Sequence, residues 1–115
     1  NYLPYLLGRL FAVLEGLQQS ASPGINTTIK DRYFNSASAT PAIVFPQLIN
    51  LAQKHLNKLD GGLAVYYDKQ ITELSSRITQ TLPTRMSLAE QSAFQLGYYH
   101  ETQRRYTAKN NKEEQ

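Results

Sequence analysis

Between Leu3 and Leu17 the residues Leu3, Leu6, Leu7, Leu10, Phe11, Leu14 and Leu17 recur at helical spacing, forming the longest apolar cluster of the chain. The stripe reads as a core helix. Pro4, Gly8, Arg9, Glu15 and Gly16 interrupt it. It falls short of the roughly 18 apolar residues of a bilayer span, and it lacks the basic start and small-residue cleavage site of a secretory signal. The cluster Ser20 to Gly24, SASPG, ends the pattern.

A second helix is expected from about Asn26 to Phe34, with Asn26 or Thr27 as N-cap, Ile29 and Tyr33 on one face and Lys30, Asp31 and Asn35 on the other. Ser36 to Thr40 is expected as a loop of small residues, and Thr40-Pro41 as a cap followed by a first-turn proline. Pro46 then lies too deep to be neutral, so a short turn and a kink or restart should precede a main body from Pro46 to Leu59. Asp60-Gly61-Gly62 is a break, after which Leu63, Tyr66, Tyr67, Ile71, Leu74, Ile78 and Leu82 trace a fourth helix as far as Pro83. Ser87-Leu88-Ala89-Glu90 matches a capping box and opens a fifth helix from Leu88 to about Thr107. There is no useful β alternation, internal repeat or dividing linker. The expected fold is all-α, a compact bundle of about five helices forming one domain over residues 1–110, with residues 111–115 frayed for want of an apolar anchor.

The 115 residues are 41% hydrophobic and 18% charged, enough for one modest core and unlike a disordered or membrane-embedded chain. The first residue is Asn1 rather than methionine, so further residues are expected ahead of it. The absence of cysteine excludes a disulfide, a thiolate metal site and a thiol nucleophile, and is compatible with the cytoplasm. His55 and His100 sit in no metal-ligand spacing, and the side chains of the neighbours His100 and Glu101 diverge by about 100° on a helix. No nucleophile elbow or phosphate-cradling glycine loop occurs. Asp31, Asp68 and Glu73 are scattered, and Asp68–Thr72 and Lys69–Glu73 fit ordinary helix-surface pairing. No catalytic residue, metal ligand or cofactor is expected.

A formal charge of +3 mildly favours polyanions, and two of the nine acids lie at the very end, Glu113 and Glu114. Lys30 and Arg32 stand beside Tyr33 and Phe34, followed by Ser36, Ser38 and Thr40; backbone donors at the start of the Pro41 helix could also face a phosphate. Lys54 and Lys58 are four residues apart, on a face extended by Gln47, Asn50 and Asn57 without an acid. Arg104 and Arg105, with Lys109 and Lys112, form a second cluster, and Arg77 and Arg85 flank the Pro83 turn. Each cluster has a plain alternative as a solvated face or helix cap, with Asp31 paired to a neighbouring base. Arg9 could instead tie helices together. Tyr66-Tyr67 and Tyr98-Tyr99 each place one ring inward and its neighbour about 100° round the helix, making the outer rings candidate interface anchors.

The segments YLLGRLFAVLEGLQ (Tyr5 to Gln18), INTTIKDRYFNSASATPAIVFP (Ile25 to Pro46), LAVYYDKQI (Leu63 to Ile71) and Phe94 to Gln103 together resemble the C-terminal part of the large subunit of the type I-C CRISPR interference complex, most densely from Ile29 to Leu59. In that family this region also occurs as a free-standing small subunit. The resemblance implies a non-enzymatic helical subunit lining the inner side of an RNA-guided complex in more than one copy. Its partners would be the backbone and large subunits, further copies of itself and the single-stranded or R-loop target DNA, with the guide RNA as a further candidate contact and no membrane. Carried onto this chain, Lys30, Arg32, Lys54, Lys58, Arg104 and Arg105 would hold phosphates, with Arg77 and Arg85 extending the patch. Sequence reading would be left to the guide. The rival reading is a helical protein-interaction subunit that assembles the complex without touching nucleic acid.

Overall fold

Leu3–Ala21 forms the first helix, α1, in a computed structural model that describes residues 2–114, with side chains described as far as Ala108. The anticipated stripe is buried from Leu6 to Leu17, with Leu3 partly buried, and so are Ala12, Val13, Glu15, Gly16 and Gln18, so α1 is enclosed on nearly every side. The helices α2 (Ile29–Ala39), α3 (Pro41–Lys58), α4 (Gly61–Arg77) and α5 (Leu88–Glu114) complete an all-α bundle in which each of the other four packs on α1. The described residues contain no strand.

The two polar side chains buried within α1 are both satisfied. The Gln18 amide oxygen accepts from the backbone N–H of Ile29 at 2.8 Å, stabilising the first turn of α2, and a Glu15 carboxylate oxygen accepts from the Tyr98 hydroxyl. An unpartnered buried polar group would be destabilising by about 1–3 kcal/mol. Burial first, and then the hydrogen bond and charge of Glu15, push the Tyr98 phenol above its ordinary range. Phe11, Phe34, Phe94 and Tyr98 meet edge-to-face with centroids 5.0–5.9 Å apart, joining α1, α2 and α5 at the centre of the core.

Several element boundaries differ from the sequence expectations. The N-cap of α2 is Thr28, in a capping box with Asp31, and the helix runs on through the expected loop to Ala39 because Ala37 and Ser38 are buried against the core. In α3, Pro46 is exposed and the helix continues from Pro41 without a restart. Finally, α4 stops at Arg77 rather than near Leu82. Residues 78–87 instead cross the α2–α3 junction as a strap. There the Met86 N–H donates to the Ala39 carbonyl at 2.8 Å, and the Pro83 carbonyl accepts from the Ala42 N–H at 3.0 Å, while Ile78 and Leu82 pack on the core. The strap therefore satisfies backbone groups that two helix ends leave over.

The Ser87–Glu90 capping box is present, with Ser87 N–H to the Glu90 carboxylate at 2.9 Å and Glu90 N–H to Ser87 Oγ at 3.1 Å. The helix it opens extends past the expected Thr107 to Glu114. At the break before α4, Gly61 adopts φ +55°, a backbone region in which a side chain would be strained. The side chains of the tail expected to fray, residues 111–115, lie outside the described residues, as do Lys109 and Lys112.

Candidate nucleic-acid interface

No acid occurs anywhere in α3, and Gln47, Asn50, Lys54, Asn57 and Lys58 are all exposed along it. With a rise of about 1.5 Å per residue, this polar face extends for roughly 16 Å. Lys54 and Lys58 make no ion pair among the described residues, so their ammonium groups stand in solvent uncompensated.

Arg32, exposed on α2, lines a groove against the neighbouring side of α3. The capping box explains why it too is free of a carboxylate: Asp31, its nearest acid, accepts from the Thr28 N–H at 2.9 Å and so serves the helix end. The alternative in which Asp31 pairs with a neighbouring base gives way to this cap among the described residues. Arg32, Tyr33, Leu51 and His55 line a groove of about 390 Å³ between α2 and α3, closed at one end by Asn26 and Thr27. Both ring nitrogens of His55 are buried there without a hydrogen-bond partner among the described residues. Desolvation, and then the charge of Lys58, lower the His55 pKa from its ordinary value, so the imidazole is neutral and offers one donor and one acceptor. The sequence expectation for His55 was only that it sits in no metal-ligand spacing. The available clue was its place between Lys54 and Lys58, three residues before the latter.

The other cations are differently employed. The Lys30 ammonium lies 5.6, 5.0 and 5.3 Å from the ring centroids of Phe34, Tyr98 and Tyr99, a cation–π seat that tethers it to the protein. Arg104 is bound to Glu101, whose side chain is only 1% accessible, and Arg9 reaches the other oxygen of the same carboxylate at 3.0 Å. The hydrogen bond to Glu101 raises the Arg104 pKa further, and Arg9 acts as a tie between α1 and α5. Arg104 also reaches Gln70 of α4 at 3.3 Å. Arg105 is half-buried beside Gly16, Arg77 pairs with Glu73 at 3.1 Å on the α4 surface, and Arg85 is exposed on the strap. The structure thus places Arg32 on the groove and Lys54 and Lys58 on the exposed α3 face on either side of the groove residue His55, and leaves Lys30, Arg77, Arg85 and the Arg104–Arg105 pair elsewhere.

The small-residue loop expected to receive a phosphate is absent as such. Ser38 is buried, the Thr40 hydroxyl donates to the Ser36 carbonyl at 2.9 Å, and the α3 N-terminus is already used by Pro83 and Thr40 carbonyls.

Both tyrosine pairs divide as their helical spacing requires. Tyr67 and Tyr98 are 7% and 4% exposed, whereas Tyr66 and Tyr99 are 40% and 53% exposed. Among the described residues no group of acids and histidines is arranged to hold a metal ion, and no helix is long and apolar enough to cross a membrane.

A family model described as CRISPR-associated protein (Cas_Csd1) matches residues 1–106, a span that includes all eight of the candidate phosphate-binding cations. No curated protein matches the chain.

Proposed function

The chain belongs to the Cas_Csd1 family of CRISPR-associated proteins, and from that premise we propose that it is a non-catalytic small subunit of a type I-C RNA-guided surveillance complex. In this reading it works in the cytoplasm, holding DNA strands without regard to their sequence and so supporting target binding and the opened R-loop. Its partners are the backbone and large subunits, further copies of itself and the target DNA.

The observation that supports it best is the acid-free face of α3, with Lys54 and Lys58 exposed and unpaired beside the Arg32 groove. Lysine ammonium groups are sequence-independent point charges for phosphate, which suits a subunit that must accept any target selected by base pairing with a guide. A neutral His55 in the groove adds hydrogen-bonding capacity without adding to the positive charge. The guanidinium and ammonium groups seated on Glu101 and on the aromatic rings contribute to the architecture, so the DNA track is narrower than the full set of basic residues.

The rival reading, an assembly module that never touches nucleic acid, draws on the exposed rings of Tyr66 and Tyr99. Photocrosslinking within the assembled complex separates the two. A target strand carrying photoreactive nucleotides should label this chain, and Lys54→Ala/Lys58→Ala should reduce the labelling to a similar degree for unrelated target sequences. A chain left unlabelled in an intact, target-bound complex would overturn the DNA reading in favour of assembly.

A further inference from the structure

A second recess lies between α4 and α5, floored by α1. It is about 520 Å³ and is lined by Gly16, Gln19 and Ser20 from α1, by Leu63, Tyr66 and Tyr67 from α4, and by Thr102, Arg105 and Tyr106 from α5. That volume falls within the range of small-molecule sites. Its walls stand apart because α4 and α5 both pack on α1 but, among the described residues, make no direct helix–helix packing with each other. Among the described residues, the hydrogen bond from Arg104 to Gln70 spans the gap.

The chemistry of the recess is specific. Arg105 is a half-buried cation whose Nε is enclosed without a hydrogen-bond partner, and it makes no ion pair among the described residues. Glu101, one turn earlier, is already bound by Arg9 and Arg104, and the Glu15 carboxylate accepts from Tyr98. A desolvated guanidinium without a counter-charge is costly to maintain, and an incoming anion relieves that cost. Tyr66 of α4 and Tyr106 of α5 line it from opposite walls and are 40% and 66% exposed. Tyr67, fixed by a 3.1 Å hydrogen bond between its hydroxyl and Ser20 Oγ, backs the recess. The absence of a side chain at Gly16 is what admits the guanidinium, since a β-carbon there would overlap it.

The geometry points to a seat for one unstacked nucleotide of single-stranded DNA, its phosphate on Arg105 and its base against the tyrosines of α4 and α5. Every base has a π-face, so such a seat is indifferent to sequence, and it would hold an opened strand at a point where a purely electrostatic track would let it slide. This inference rests on the DNA-binding reading above and adds that the base, not only the phosphate chain, is held.

The test uses the full chain and two oligomers of about ten nucleotides, an oligothymidylate and an abasic deoxyribose-phosphate chain of the same length, titrated by fluorescence anisotropy. Stacking of one base gives roughly a tenfold preference for the thymidylate. Tyr66→Ala removes a wall and should bring the thymidylate down to the abasic level. Gly16→Ala displaces the guanidinium that holds the phosphate and should weaken both oligomers, with Arg105→Gln as a second route should Gly16→Ala disturb folding, which circular dichroism would reveal. Lys54→Ala/Lys58→Ala should weaken both oligomers and keep their ratio. Equal affinity for the two oligomers, a preference untouched by Tyr66→Ala, or an affinity untouched by both Gly16→Ala and Arg105→Gln, would overturn the nucleotide seat while leaving the phosphate track standing. Failure to bind either oligomer would overturn both.

Discussion

Arg9 and Glu101, 92 positions apart in the chain, meet at 3.0 Å where α1 crosses α5, and the carboxylate they share with Arg104 is almost wholly removed from solvent. A buried carboxylate is tolerated when its charge is matched and its lone pairs are used, and two guanidinium groups supply both here. This clamp sits within the helix pair that has the most extensive packing among the described residues.

Glu101→Ala should therefore destabilise the chain by about 2–3 kcal/mol. That is somewhat less than the full penalty for breaking a buried pair, because Arg104 is half-exposed and regains water. Thermal denaturation should show a fall of roughly 10 °C. Arg9→Ala should have a larger effect than Arg104→Ala, since the Arg9 side chain is 23% accessible and that of Arg104 51%. An Arg104 variant as damaging as the Glu101 variant would contradict this ordering.

The same crossing depends on two glycines. A β-carbon on Gly8 would overlap the Phe94 carbonyl, and one on Gly97 would overlap the Tyr5 carbonyl, so the backbones of α1 and α5 approach as closely as glycine permits. In an exposed helix a change from glycine to alanine stabilises by about 0.5–1 kcal/mol. At Gly8 or Gly97 the sign should reverse, with a loss of about 3 kcal/mol, because the obstructing atoms are backbone and have little freedom to move. Gly62→Ala, where the added carbon meets nothing, is the control and should be neutral or mildly stabilising. Denaturant melts of the three variants test the contrast.

Local patterns and tertiary accounts differ in what they make legible. The α1 stripe and the Ser87–Glu90 box are encoded by residues within a few positions of one another, and both occur as expected. The extension of α2 through Ser36 to Ala39 was hidden because small residues carry little periodic signal, and Ala37 and Ser38 are helical through burial against distant partners. Ile78 and Leu82 misled in the opposite direction: they keep helical phase after Leu74 but reach the core from an extended strap. The site follows the same division. The acid-free face of α3 is a property of one segment and was visible, whereas the capture of Arg104 by Glu101 and Arg9, and of Lys30 by Tyr98 and Tyr99, depends on helices far apart in sequence.

Stability should fall on acidification through His55. Its folded pKa lies below the ordinary value of 6.5, so the unfolded chain takes up the proton first. The contribution of the neutral ring is complete above that ordinary value and is lost as pH falls through it towards the lowered folded pKa. Melting temperatures measured between about pH 7.5 and pH 5.5 should decline for the native chain, and His55→Gln should flatten the decline.

The division of the cations between DNA track and architecture is open to a measurement that treats the two groups oppositely. Each phosphate contact to a single strand contributes roughly 0.7 to the slope of log affinity against log salt. Lys54→Ala/Lys58→Ala should reduce that slope by roughly 1.4 with little change in melting temperature, because both side chains are exposed and unpaired. Arg32→Ala should remove roughly half as much. Lys30→Ala should act the other way, lowering the melting temperature through loss of its aromatic seat and barely altering the slope. If Lys30 changed the salt slope as much as the α3 lysines do, its ammonium would have to leave the rings of Phe34, Tyr98 and Tyr99 when DNA binds, and the track would extend across α2 onto α5.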